Sequence, residues 1–349
     1  MEMKTQKNKG ILFALIIALL MPAMAFGQEK LDLRNRYQIN KDGSFIQFKT
    51  TMAGFPVVRG AIKSYQATMY YDANDITKTS ATLRIAADGF TTSHDKRDET
   101  LQGKDFLNTQ KFPAIWFQGD QVTKTDTGFD LTGQMYIKDI VKPVTIHMTK
   151  PTVMKEAMNG QDIMMAVGKL KINRKDFDLG ASGPWGANPM LGDDIEIDFS
   201  FLGFSYTPTY LKSLYVKQVN GRDHAVGVVF NEIKANGLQA GIAKIDQLAQ
   251  DKAYANENWL SNAANIGWML LVEGMGEEAV AIFEQALQRN PNHMVTLLRI
   301  GDAYTVAGQF DKALEHFKKE RSLDARIRFT HIPEMIQKLG GKFELKNMK

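Results

Sequence analysis

The sequence predicts a chain of two fold classes in series, an all-β antiparallel half followed by an all-α half of helical repeats. Three observations carry this. From about residue 37 to 204 apolar and polar residues alternate in short runs broken by Gly, Asn and Asp, the period of half-buried strands. After Thr207-Pro208 the period lengthens to that of helices. In that second part the sequence compared with itself at an offset of 34 finds Gly267 again as Gly301, Ala279 as Ala313 and Phe283 as Phe317. At 349 residues the chain is long for a single core, in keeping with two domains.

Residues 1–27 read as a secretory signal. Lys4, Lys7 and Lys9 precede an uninterrupted apolar run, Ile11–Leu20, and Ala23-Met24-Ala25 or Ala25-Phe26-Gly27 supplies small residues for cleavage. A membrane span needs about 20 apolar residues, so the expectation is an exported bacterial protein, periplasmic or secreted, without a stable membrane span after cleavage. The chain has no cysteine, which excludes disulfides, thiol nucleophiles and a lipoprotein anchor. The net charge of +4 comes from basic residues interleaved with acids, so no nucleic-acid partner is expected.

In the β half the alternation is cleanest at Ser44–Lys49, Ala81–Ile85, Val144–Met148, Lys169–Asn173 and Ile195–Phe201. Turn signals lie between the runs at Lys41-Asp42-Gly43, Asp126-Thr127-Gly128 and Met158-Asn159-Gly160. Many short strands without long helices between them suggest an antiparallel sandwich or a closed barrel. A helical interruption is expected near Arg97–Leu107, where alternation lapses. The expected boundaries are 28–206 for the β domain, 207–222 for a linker or short crossing, 223–328 for the repeats and 329–349 for a tail. A degenerate first hairpin, Asp223–Ala235 and Leu238–Gln250 broken at Asn236-Gly237, brings the array to three helix pairs.

The stretch Arg97-Asp98-Glu99-Thr100-Leu101-Gln102-Gly103-Lys104-Asp105-Phe106, followed by Phe112-Pro113-Ala114-Ile115-Trp116-Phe117, resembles the signature of the YceI-like family of lipocalin-like barrels. Gly133–Val144 and Asn173-Arg174-Lys175-Asp176-Phe177 resemble two further motifs of that family, in its order. Asp139 and Asp178 depart from it, standing where the family usually has Gly, so positive backbone angles are a concern there. The repeats resemble tetratricopeptide repeats, with Gly267, Ala279 and Ala286 in the small positions of the first copy and Gly301 and Ala313 in those of the second.

The resemblance implies a non-catalytic protein that binds a polyisoprenoid, a quinone or another amphipathic lipid inside the barrel, with a protein partner docked on the repeats. The cavity residues chosen from the inward set are Phe48, Ile62, Met69, Leu83, Ile85, Ile115, Phe117, Met135, Ile137, Ile146, Ile197 and Phe199. Arg97 and Arg174 are candidates for a ligand head group; the plainer reading pairs them with Asp98 and Asp176. An eight-stranded barrel either just fills with side chains or holds one small ligand, so an interaction scaffold with a filled core stands as the alternative. The six histidines form no metal-ligand spacing, and no nucleophile elbow or phosphate-cradling loop occurs. No catalytic residue, metal or cofactor is expected.

Overall fold

The computed structural model describes residues 32–323 apart from 187 and 189; the expected signal segment and tail lie outside the described residues. The strands are β1 Arg36–Ile39, β2 Phe45–Met52, β3 Phe55–Ile62, β4 Tyr65–Tyr70, β5 Ser80–Ala86, β6 Phe90–Thr91, β7 Ala114–Thr125, β8 Gly128–Ile137, β9 Ile140–Thr149, β10 Thr152–Met158, β11 Gln161–Asn173 and β12 Asp194–Ser205. Eight of them close a ring in the order β11-β9-β8-β7-β5-β4-β1-β12, with β12 returning to β11. The rest prolong the ring strands. β1 and β2 take successive stretches of one flank of β12, Tyr37 facing Ser205 and Ile46 facing Phe199. All these pairings are antiparallel, and closure leaves the ring without a free edge.

Alternation sets the two faces of the wall. In β8, Phe129, Leu131, Met135 and Ile137 are buried on the inner face, and in β11 so are Met164, Ala166, Leu170 and Ile172. The β10–β11 turn uses Asn159 and Gly160, both with positive φ, as a tight hairpin requires. Of the two family departures, Asp178 takes a left-handed φ of 50° as the cap of a short 3-10 turn. At the other, in the two-residue β8–β9 turn, the positive φ falls on Lys138 and not on Asp139. The expected interruption is helix α1, Asp95–Gln102, capped by His94.

After the barrel, α2 is the single turn Gly183–Gly186, and the array comprises α3 Pro208–Tyr215, α4 Ala225–Asn236, α5 Leu238–Gln250, α6 Trp259–Val272, α7 Gly276–Arg289, α8 Met294–Val306 and α9 Phe310–Leu323. Three consecutive helix pairs result, α4–α5, α6–α7 and α8–α9. The offset of 34 has a steric basis. A Cβ on Gly267 would lie 2.4 Å from the Phe283 ring, and one on Gly301 would lie 2.7 Å from Phe317. Each glycine therefore lets the paired helix bring its phenylalanine against the backbone.

The stretch 207–222 is folded. Thr207 caps α3 by accepting from the Tyr210 N–H, Pro208 occupies the first turn without losing a bond, and Leu211 is buried in the helical core. Two short strands, Gln218–Val219 and Arg222–Asp223, then turn the chain into α4. Four separate apolar and aromatic side chains on α3 had reason to fold onto the helices: Tyr210, Leu211, Leu214 and Tyr215 all pack on that core.

Candidate functional site: the barrel lumen

The inner face of the barrel does not fill it. A cavity of about 380 Å³ occupies the half nearest α1, and a smaller one of about 60 Å³ lies deeper. The larger is lined by Phe48, Ile115 and Ile137 among the residues chosen from sequence; the smaller by Met69, Leu83, Phe117, Ile146 and Phe199. Ile62, Ile85, Met135 and Ile197 line both, so they form the partition between two compartments of one lumen. All twelve therefore face the same interior. Strand period 2 is what brings residues from eight strands to one axis.

Glycines widen this interior selectively. Gly60 lies under the Phe48 ring and Gly168 under Phe199, where an added Cβ would stand 2.2 and 2.3 Å from those rings. The aromatic side chains lean against the wall at these points instead of crossing the lumen. Phe199 in turn stacks on Phe201 at 4.5 Å between centroids.

Alternation could not find the mouth, because much of it is not made of strands. Leu101, Phe106 and Leu107 come from α1 and the turns after it, Leu179 from the loop after β11, Trp185 from α2 and Leu191 from the approach to β12. Trp185 meets Phe106 edge-on at 5.5 Å, and both line the larger cavity. The signal available was the family signature itself, whose Asp-Phe and Asn-Arg motifs build this region.

The two arginines border the larger cavity but hold other partners than those expected from sequence. Arg174 is 2% exposed, pairs with Asp193 at 2.9 Å and donates to the carbonyls of Leu179, Gly180, Gly192 and Trp185. Asp176, its neighbour in sequence, is exposed, because the 3-10 turn after Asn173 points the two side chains apart. Arg97 donates to the hydroxyl of Thr92 at 2.8 Å and to its carbonyl at 3.0 Å. Asp98 instead accepts from the Thr92 N–H at 2.7 Å and from the hydroxyls of Thr91 and Thr92. Burial opposes ionisation of Asp98, but these donors outweigh it and hold the carboxyl below its usual range. Arg174 thus ties the mouth loops together, while Arg97, on α1 beside Lys96 and Thr100, forms a cationic corner of the rim.

The polar residues of the larger cavity are Thr50, Lys96, Arg97, Thr100 and Arg174, with no carboxylate or histidine among them. Among the described residues no group of His, Cys, Asp or Glu is placed to hold a metal ion, and no helix is long and apolar enough to cross a membrane. His147 stands on the outer wall, bonded to Asp130 at 2.7 Å.

A closed eight-stranded antiparallel barrel with an apolar lumen, joined to stacked helix pairs, places the chain among lipocalin-like barrels with an appended helical-repeat array. Residues 37–202 match the model of the YceI-like domain and residues 270–319 match the tetratricopeptide repeat. The N-terminal half is thus a YceI-like domain, and the C-terminal part carries tetratricopeptide repeats. Protein YceI of Escherichia coli is 29% identical over 146 residues, 41% of this chain and 75% of that protein. Its counterpart in Salmonella arizonae is 28% identical over the same share. Among solved structures, Burkholderia cenocepacia BcnA is 21% identical, covering 47% of this chain and 98% of its own, with a TM-score of 0.42. A structure described as a polyisoprenoid binding domain from Saccharophagus degradans is 11% identical, covering 49% and 98%, with a TM-score of 0.35.

Proposed function

We propose that the chain is a non-catalytic, exported binding protein whose barrel holds the apolar chain of a polyisoprenoid, a quinone or a similar amphipathic lipid, and whose repeats contact protein. The observation that carries this reading is the lumen itself, about 380 Å³ lined almost wholly by apolar side chains and continued by a further 60 Å³. That volume is within the range of small-molecule sites. At ~30 Å³ per CH₂-sized group, the share one water takes in the liquid, the larger compartment accommodates about a dozen carbons. Each buried CH₂ contributes roughly 0.8 kcal/mol, so the gross apolar gain is about 10 kcal/mol. Such a site needs no catalytic group and no obligatory polar contact. Arg97 and Lys96 at the rim are where an anionic or carbonyl head group meets the protein, whereas Arg174 is committed to the mouth loops. The basic residues and apolar run expected to act as an export signal support a place in the periplasm or outside the cell.

The test is titration of the purified protein with short-chain polyprenols and isoprenoid quinones, read by displacement of an environment-sensitive fluorescent fatty chain. Saturable displacement supports the reading. Failure of every apolar chain to enter would favour the scaffold alternative, in which the barrel is only a mount for the repeats.

A further inference from the structure

The helical array has two layers. α4, α6 and α8, the first helices of the three pairs, pack side by side, and α5, α7 and α9 lie behind them. The layer whose helices touch one another across pairs is the inner one of a curved stack, the face a helical solenoid offers for binding. In this chain that face is already occupied, and the occupant is the base of the barrel.

Several contacts define the occupation. Arg36, the first residue of β1, grips Asp302 of α8 with two bonds of 2.7 and 3.0 Å across 266 positions of sequence. The side chains of this ion pair are 12% and 2% exposed, so it is withdrawn from water. Leu33, just before β1, lies within the helical core. Tyr206, just after β12, meets the Trp268 ring of α6 edge-on at 5.4 Å. The Arg299 guanidinium of α8 lies over the Trp268 ring at 4.8 Å, and Arg299 donates to the Ala264 carbonyl at 3.0 Å. Helix α3 completes the plug, its Lys212 pairing with Glu273 at 2.7 Å.

This base is also the end of the barrel remote from the lumen's mouth. Strand β12 lines the large cavity with Ile195 near its start and reaches Ser205 beneath the array. At about 3.3 Å per residue its length separates the two ends by more than 30 Å. The array is therefore not a lid over the mouth.

We propose that the repeat array is self-masked: its inner face is held by the chain's own barrel base, and an external protein reaches that face only by displacing Arg36 from Asp302 and Tyr206 from Trp268. The withdrawn ion pair gives this contact its register. Displacing Arg36 removes two charge-assisted bonds from a buried carboxylate, so an invading segment that brings a cation of its own to Asp302 is favoured over one that does not. The partner chemistry this selects is a protein segment with an arginine beside apolar or aromatic residues, mimicking Leu33, Arg36 and Tyr206.

The absence of cysteine allows a direct test in the full chain. Spin labels are attached at Lys124→Cys on the barrel and Glu315→Cys on the array, both exposed sites, and their distance distribution is measured. The expected result is one narrow distance. Adding Arg36→Asp broadens it, and adding Asp302→Arg to that variant narrows it again. Tyr206→Asp, which leaves both folded cores untouched, broadens it independently, and far-UV circular dichroism verifies that each variant is folded. A broad distribution in the parent, or a narrow one in both Arg36→Asp and Tyr206→Asp, would overturn the proposal. The labels report domain contact and not lumen occupancy, so either outcome leaves the lipid reading where it stands.

Discussion

Met135→Trp separates a hollow barrel from a filled one. Met135 lines both compartments of the lumen and stands on β8 opposite Lys142, inside the partition that joins them. Tryptophan in place of methionine adds about six heavy atoms where a ligand's chain would lie. At roughly 0.8 kcal/mol per displaced carbon this removes about 5 kcal/mol of apolar contact, or roughly three to four orders of magnitude in Kd. The protein itself should tolerate the change, since the indole enters lumen space that no side chain fills; at about 24 cal/mol per Å³ of cavity removed, filling offsets much of any strain. Overpacking a filled core has the opposite signature, costing about 1–3 kcal/mol or more. The paired assay is therefore fluorescent-chain displacement and urea denaturation on the same preparation. Loss of binding with stability within about 1 kcal/mol of wild type is the expected result. Unchanged binding, or a collapse of stability of several kcal/mol, would refute the hollow lumen.

Further outcomes follow from particular contacts. Arg174→Ala leaves four mouth carbonyls without this donor and Asp193 with Lys175 alone, so stability should fall by about 2–4 kcal/mol, with binding lost alongside it. Arg97→Ala, which removes only two bonds to Thr92, should cost less stability, about 1–2 kcal/mol, while weakening anionic chains more than neutral ones; equal weakening of both would remove Arg97 from head-group contact. Gly301→Ala brings a methyl to 2.7 Å from Phe317 and should destabilise the array by about 1–3 kcal/mol, with recovery when Phe317→Leu is added. Acid should loosen the array. Burial opposes ionisation of Glu273 and Glu257, but Lys212 and Lys234 outweigh it for the first, and Asn262 and Arg222 for the second, so both carboxyls titrate below the usual 4.5. Burial likewise lowers His224 below 6.5, and its Nδ1 accepts the Val226 N–H at the start of α4. Each folded value is depressed, so each contribution is whole above the unfolded value and is lost as pH falls through the folded one. Urea midpoints of the helical signal should therefore decline from about pH 6.5 downward and more steeply below about pH 4.5; a flat profile would contradict these assignments.

What could be read from the sequence was whatever repeats locally. The twelve residues chosen by period 2 are among those that line the two compartments, because a side chain's face in a strand depends only on its own position. The 34-residue offset held for the same reason, each Gly meeting a Phe 16 positions later within its own helix pair. Other features had no local signal. The Arg36–Asp302 pair spans 266 positions, and neither residue's neighbours mark it as buried. Arg174 was read as a head-group candidate or a partner of nearby Asp176, but the loop after β11 folds back so that Asp193 and four carbonyls reach it first. Residues 207–222 read as a linker or a short crossing, and the structure makes the stretch a crossing that Thr207 caps and Pro208 begins as a helix. The free volume of the lumen depends on how Phe48 and Phe199 lean over Gly60 and Gly168, a matter of rotamers across strands that no single run displays.

The central claim is that the lumen carries an apolar chain. The most direct measurement is native mass spectrometry of the full-length chain's mature form purified from its own host, followed by organic extraction and lipid analysis of the same sample. The account predicts a bound species of defined mass that is lost on denaturation and recovered in the extract as an isoprenoid, quinone or similar lipid. An apo mass alone, with no uptake of added isoprenoids or quinones, would contradict it.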